Sequence, residues 1–279
     1  MNKQNKNTVK AFVVAAGFFA AAAQAGVPLN GLQGDGGIAF NPLAYLAGTY
    51  DKDSSLGEWV SKPQAGTWFV NLNDSDINWY AASAAFSVAK RVELSYGYEF
   101  IDAKNLDRSI NKHNLGAKVK LLDENFGDTV WVPAIAVGGI YKYTDTDVTK
   151  ALGTDKSGVE GYLVATKLIT QTPVPILVSG GLLESDEVVN GVLGHGDYDT
   201  VGFGNVDVLP LKNVALGVEY KQGVDAGNIK NADYFDYHVA WFVNDKLTLV
   251  GAYVDAGDKD DSSKVGLGGG LVLSAQYAF

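Results

Sequence analysis

The chain has 279 residues, with 22 basic and 32 acidic side chains, a formal charge of −10, 33 glycines and no cysteine. The lack of cysteine excludes disulfides, thiol chemistry and lipid attachment through an N-terminal cysteine. The acidic balance argues against DNA or RNA as a partner, which would need a basic face.

Lys3, Lys6 and Lys10 form a basic head and Ala11 to Ala23 an apolar stretch, closed by Ala23-Gln24-Ala25. This pattern predicts an export signal over residues 1–25, with a mature chain starting at Gly26. Its removal takes three lysines and no acid, so the formal charge of −10 becomes −13. No later apolar run approaches the ~18 residues of a transmembrane helix. The mature chain, 26–279, reads as one domain with a short N-terminal lead-in.

From there the chain breaks into short segments of alternating hydrophobicity, the period of a strand with one covered face. Residues 37–48 read as the first, and 79–88 as the second. Val92, Leu94, Tyr96, Tyr98 and Phe100 then oppose Glu93, Ser95, Gly97 and Glu99. Leu115 to Leu121 repeats the pattern, followed by weaker segments at 130–143, 159–169, 174–184 and 200–209. Val214 to Tyr220, Phe235 to Val243, 247–255 and Val265 to Phe279 complete a set of twelve. Connectors alternate between short (89–91, 123–129, 170–173, 210–213, 244–246) and long (49–77, 102–111, 144–157, 185–200, 223–233, 256–264). That rhythm predicts an all-β transmembrane antiparallel barrel of about twelve strands in an outer membrane, with periplasmic termini, short periplasmic turns and long outer loops.

Aromatics give a second line of support. Tyr98, Phe100, Tyr141, Tyr143, Tyr162, Tyr220, Tyr234, Phe235 and Tyr253 fall at outer strand ends, and Trp131, Trp241, Tyr277 and Phe279 at inner ones. Two such girdles suit the two membrane interfaces. A soluble β-sandwich would also alternate, but needs neither the girdles nor the connector rhythm. Within 49–77, Thr67-Trp68-Phe69-Val70 is open between an inward constriction and an outward hairpin.

The terminal Tyr277-Ala278-Phe279, with Leu271 and Leu273 on its face, resembles the signal read by the outer-membrane barrel assembly machinery. The mature start, Val27-Pro28-Leu29-Asn30-Gly31-Leu32-Gln33-Gly34-Asp35-Gly36-Gly37-Ile38-Ala39-Phe40-Asn41-Pro42-Leu43-Ala44-Tyr45, resembles a proteobacterial envelope family of unknown function. That resemblance implies an exported envelope protein and carries no active site with it. Of the known twelve-stranded groups, the outer-membrane phospholipase needs a His-x-Ser-Asn-Gly stretch, which none of His113, His195 and His238 begins. The acidic-sugar porins need many lumen arginines, and this chain has Arg91 and Arg108 alone.

Local motifs exclude more than they assign. Gly34-x-Gly36-Gly37-x-Ala39 lacks the strand before and the helix after that a dinucleotide turn needs, and reads as flexible lead-in or a constriction at the barrel mouth. Asp51-x-Asp53-x-Ser55 and Asp258-x-Asp260-x-Ser262 lack the glycine of a calcium loop, and there is no zinc-type cluster. No cofactor and no metal is expected. Asp236, His238 and inward Ser274 could make a hydrolytic site, but an Asp-x-His pair on a lumen face reads better as polar wall. His113 lies at a loop edge, and His195 in a solvent-like glycine loop.

The predicted lumen face is mostly small: Ala81, Ser83, Ser95, Gly97, Gly116, Gly202, Gly204, Ala215, Gly217, Gly266, Gly268, Gly270 and Ser274. Glu93, Glu99, Lys118, Lys120, Lys167, Glu219, Lys221, Asp236 and His238 add charge. Twelve strands lie between a filled barrel and an aqueous one, so small linings favour a narrow water-filled path. The expectation is a non-enzymatic, passive channel for small polar solutes without a plug domain. The alternatives are a non-conducting barrel using acidic loops, and more remotely a hydrolase at His238. Expected partners are membrane lipid, lipopolysaccharide, the assembly machinery and a small polar solute.

Overall fold

A computed structural model describes residues 28–51, 53, 55–104 and 107–279, so the predicted export signal lies outside the described residues. Among them, twelve antiparallel strands close into one barrel: β1 (Gln64–Leu72), β2 (Ile77–Val88), β3 (Val92–Ala103), β4 (Arg108–Leu122), β5 (Ala134–Asp145), β6 (Ser157–Ile169), β7 (Ile176–Val188), β8 (Gly194–Leu211), β9 (Val214–Lys221), β12 (Tyr234–Phe242), β13 (Leu247–Asp255) and β14 (Gly269–Ala278). Between β9 and β12 sits a small separate hairpin, β10 (Asp225–Ala226) with β11 (Ile229–Lys230). A short helix, α1 (Val148–Leu152), caps the β5–β6 connector. Closure is made by β1, where Trp68 faces Ser274 of β14 on one side and Ala81 of β2 on the other. A closed sheet has no unpaired edge, which is what hydrocarbon demands of a backbone.

The alternation decides which face meets the lumen. In β12, Tyr234, Asp236, His238, Ala240 and Phe242 are buried, while Phe235, Tyr237, Val239 and Trp241 are exposed. In β14, Leu271, Leu273 and Tyr277 project outward between buried Val272, Ser274 and Gln276. So continuous an apolar outer band needs lipid to cover it. A one-residue slip of β12 would turn Asp236 and His238 into that lipid, so the register is strongly specified. The end where β1 starts and β14 stops is called the near rim below, and the opposite end the far rim.

The count of twelve holds, but its first member differs. Residues 37–48 pair with no wall strand; they fold inside the barrel, with local bridges Asn30 to Gly36 and Gly37 to Pro42. Pro42 has no amide to donate to a ladder, and such a residue is poorly placed in a strand paired on both sides. The first wall strand is instead β1, from inside the predicted 49–77 loop. The described residues of 49–62 stay at the near rim through bridges Thr49 to Lys62 and Val60 to Val88. The far connector before β2 is therefore only 73–76. Thr67 to Val70 is neither constriction nor hairpin but wall, with Trp68 and Val70 facing inward.

The girdles form with two exceptions. Tyr141, Tyr143, Phe235 and Tyr253 are exposed towards the far rim, and Trp131, Trp241, Tyr277 and Phe279 towards the near one. Tyr162 and Tyr234 instead turn inward and are buried. His113 joins the outer far girdle, bonded to Tyr96 Oη at 2.8 Å and packed on Tyr98 and Tyr143.

Candidate functional site

Residues 28–48 enter the lumen from the near rim and are fastened mainly through their backbone. The Glu93 carboxylate accepts the Gly36 amide at 2.8 Å and the Ala47 amide at 2.6 Å. Lys118, paired with Glu93 at 3.1 Å, donates to the carbonyls of Gly36 (2.8 Å) and Tyr45 (3.0 Å). Across the barrel, Glu219 accepts the amides of Ala39 (3.1 Å), Phe40 (3.3 Å) and Asn41 (2.7 Å). Thr166 takes the Ala44 amide at 2.8 Å, and Trp68 donates to the Asn30 carbonyl at 3.0 Å. These bonds satisfy an irregular backbone that would otherwise carry unpaired polar groups in a dry interior.

The wall makes room for this insert by leaving side chains out. At Gly34 (φ +108°) a Cβ would lie 2.8 Å from the Tyr96 carbonyl, and at Gly97 one would collide with the Gln33 carbonyl. The two glycines face each other, so backbone crosses backbone at a separation no side chain allows.

A second inward segment closes the far side. The β7–β8 turn, residues 189–193, buries Val189 and Val192 against a cluster that includes Trp68, Val70 and Ile101. Val189 (φ 52°) and Asn190 (φ 54°) sit in the left-handed region, an unfavourable place for a β-branched residue. Beside the turn, Glu187 bridges Lys142 and Lys221, and Lys142 also pairs with Glu160 at 2.5 Å. Lys221 reaches Asn190 at 2.9 Å, and Lys112 pairs with Glu99 at 2.9 Å. All six charged groups of this network are buried.

Between and beside these closures, cavities of about 80 Å³ and about 50 Å³ remain. The larger lies towards the near rim, walled by Leu168, Leu209, Ala240 and Phe242 with Leu43 and Leu46 of the insert. At its inner end His238 stands between two carboxylates, Nδ1 to Asp236 at 2.6 Å and Nε2 to Asp207 at 2.7 Å.

A family model described as "Protein of unknown function (DUF3034)" matches residues 26–267. The chain belongs to the DUF3034 family. No curated protein matches it in sequence. In structure this DUF3034 chain is similar to the KdgM porin, at 11% identity and a TM-score of 0.52, covering 78% of this chain and 99% of the porin. It is also similar to the KdgM porin in complex with disordered oligogalacturonate, at 10% identity and a TM-score of 0.51, again covering 78% and 99%. These likenesses establish the outer-membrane barrel fold.

Of the charges expected to line the lumen, Glu93, Glu99, Lys118, Glu219, Lys221, Asp236 and His238 do so, and all are buried. Lys120 points the same way but stops at the near rim, paired with Asp123 at 2.6 Å. Partial burial works to raise the Asp123 carboxyl, but its bonds to Lys120 and Arg91 outweigh that and hold it below the usual carboxylate range. Lys167 does not share the lumen face: Thr166 and Leu168 point in, and Lys167 reaches Glu124 at 3.0 Å at the near rim. Gly202 and Gly204 also fall outward, between inward Val201, Phe203 and Asn205, while Gly266 and Gly268 precede β14. His195 is not solvent-like: it is buried and bonded to Asp186 at 2.8 Å. Both nitrogens of His238 are taken by carboxylates and Ser274 is bonded to Gln276, so no Ser–His pair forms there.

The lumen residues missed by sequence reading are Lys112, Lys142, Glu160, Glu187 and Asp207. Parity alone would have found Lys142, since it continues the inward series Ala134, Ala136, Ile140. The expected absence of a plug is overturned. The small wall residues hold an insert rather than an open path.

Proposed function

We propose that this outer-membrane barrel is a channel held closed by residues 28–48, which leave or shift to admit small polar solutes. The observation that carries the reading is how the insert is fastened, by Glu93, Lys118 and Glu219 on its backbone. A permanently filled barrel gains as much from an apolar interior, because replacing buried ionic groups by packed apolar ones is often neutral or stabilising. A wall that meets water whenever the insert moves needs charges of this kind. Once exposed, they would filter solutes by width and local field. In this reading the near rim faces the periplasm, the export signal of residues 1–25 delivers the chain, and outward-facing Tyr277 and Phe279 are presented to the assembly machinery.

Single-channel current across a planar bilayer tests it, comparing residues 26–279 with Gly97→Val and Glu219→Gln. The intact chain should be silent or open rarely. Gly97→Val, which drives a side chain into the Gln33 backbone, should give steady conductance steps. Silence from all three, each folded by its heat-dependent gel mobility, would sink the channel. That outcome would favour a second reading, which the filled lumen also supports: a non-conducting barrel whose outer acidic loop, with Asp258, Asp260 and Asp261, meets lipopolysaccharide-bound cations or a protein partner.

A further inference from the structure

The smaller cavity, about 50 Å³, is bounded by the insert, by the wall and by Asn190 of the inward far turn. Much of its surface is aromatic: Trp68 and Trp79 of β1 and β2 line it, with the paired rings of Phe40 and Tyr234, whose centroids are 6.1 Å apart. Among these rings stand hydrogen-bonding groups with nothing to bond. Trp79 is 5% exposed, and its indole Nε1 is buried without a partner. Asn190 gives its carbonyl oxygen to Lys221, a group that can only donate, so the hydrogens of its amide nitrogen are unspent. The Gln33 carboxamide and the Tyr234 hydroxyl bond to no described residue either. Insert, wall and far turn thus each bring an unused polar group to one cavity, and a buried donor left unmade is costly. The carboxylate on its wall, Asp236, is already engaged by His238 and by the Glu219 carboxyl. The cavity therefore has spare donors and no spare charge.

We infer that this cavity binds a small neutral solute with a carbonyl oxygen on a flat body, a short carboxamide or urea-like compound. An oxygen with two lone pairs takes the spare donors of Trp79 and Asn190, and an amide N–H meets the oxygen of Gln33 or Tyr234. Its flat faces lie on the aromatic rings. An ion is disfavoured, because no unpaired charge is there to offset its loss of water. Water would satisfy the polar atoms but leave the rings without packing. A water-sized probe needs about 10–15 Å³, so the cavity of about 50 Å³ holds roughly four non-hydrogen atoms, the size of acetamide. The inference rests on the channel reading for calling the ligand a permeating solute. The site itself does not, because it exists with the insert in place.

The test titrates acetamide, propan-2-ol and acetate, all of similar size, into ¹⁵N-labelled mature protein in lipid nanodiscs. It runs to about 100 mM, because so small a ligand binds weakly. The readouts are the indole N–H resonances of Trp79 and of Trp68, which also lines the cavity. Acetamide should move the Trp79 resonance downfield and saturate. Propan-2-ol should bind about tenfold more weakly, and acetate should leave the resonance unmoved. Trp79→Phe, followed at Trp68, should weaken acetamide about tenfold, the worth of one hydrogen bond. Ala256→Leu, which fills the cavity from beside β13, should abolish binding. Equal responses to the three probes, no saturable shift with any of them (a cavity holding water only), or binding that survives Ala256→Leu would overturn the inference. Should Trp79→Phe fail to fold, the probe ranking and the Ala256→Leu result decide it alone. A silent barrel that still saturates with acetamide would break the channel proposal and keep this one, and a conducting barrel indifferent to acetamide would do the reverse.

Discussion

The two halves of the lumen are closed by opposite means. Towards the far rim, wall charges pair with one another, as in Lys112–Glu99 and the run Glu160–Lys142–Glu187–Lys221, and the inserted turn is part of the same continuous wall. Towards the near rim Glu93 and Lys118, and deeper in the lumen Glu219, spend their hydrogen bonds on a segment that belongs to no strand. In the far half, ion pairing fixes the wall strands to each other. In the near half it fastens something separable. The same residue types thus make a permanent closure in one place and a releasable one in the other, depending only on whether the partner is tied into the sheet.

The largest effect should come from breaking the far network. Lys142→Ala strands Glu160 in a dry interior and leaves Glu187 with Lys221 alone, and loss of one partner of a buried ion pair costs about 3–5 kcal/mol. Urea titration of the barrel in vesicles should show that loss, and an unchanged midpoint would mean the far half is not ion-locked. Next comes the outer face as a control for which surface meets lipid. Val239→Lys, outward on β12, should cost about 2–4 kcal/mol if it sits near the bilayer midplane, whereas a tolerated lysine would contradict the lipid assignment.

Glu219→Gln should be milder and of another kind. It weakens charge-assisted bonds to the amides of 39–41, about 1–3 kcal/mol, and frees the insert while sparing the sheet. Limited proteolysis should then cut within 28–48 without changing the barrel's mobility on gels. Global unfolding instead would erase the contrast between the halves. Ser274→Ala is the smallest change, losing the bond from Gln276 at about 1 kcal/mol. Lipid hydrolysis should be absent both with and without Ser274.

Much of the fold was legible because a barrel strand is a local object. Period-two alternation in Val92 to Phe100 or Phe235 to Trp241 states which side chains face lipid, whatever the strand pairs with. The same locality explains the errors. Residues 37–48 look like a first strand over a short window, while 64–72 lies in what reads as a long loop. Segment 159–169 alternates too weakly to fix its parity, and Leu168, not Lys167, packs into the near-rim cluster. Gly97 reads as space for water, and Gly34 as flexible lead-in or a constriction at the barrel mouth, until the other half of their contact is known.

What the sequence by itself determined is the barrel, its count of twelve strands, the place of eleven of them and the inward position of seven charged or titratable groups, since all follow from alternation within single segments. Only the tertiary structure decided which segment closes the barrel and what fills it. Closure requires β14 to find a partner with an unbroken row of amides, which Gln64–Leu72 supplies and Pro42 denies to 37–48. Filling requires residues far apart in the chain to meet across the lumen, as Glu219 meets Asn41 and Lys142 meets Glu187. No local period encodes such a meeting.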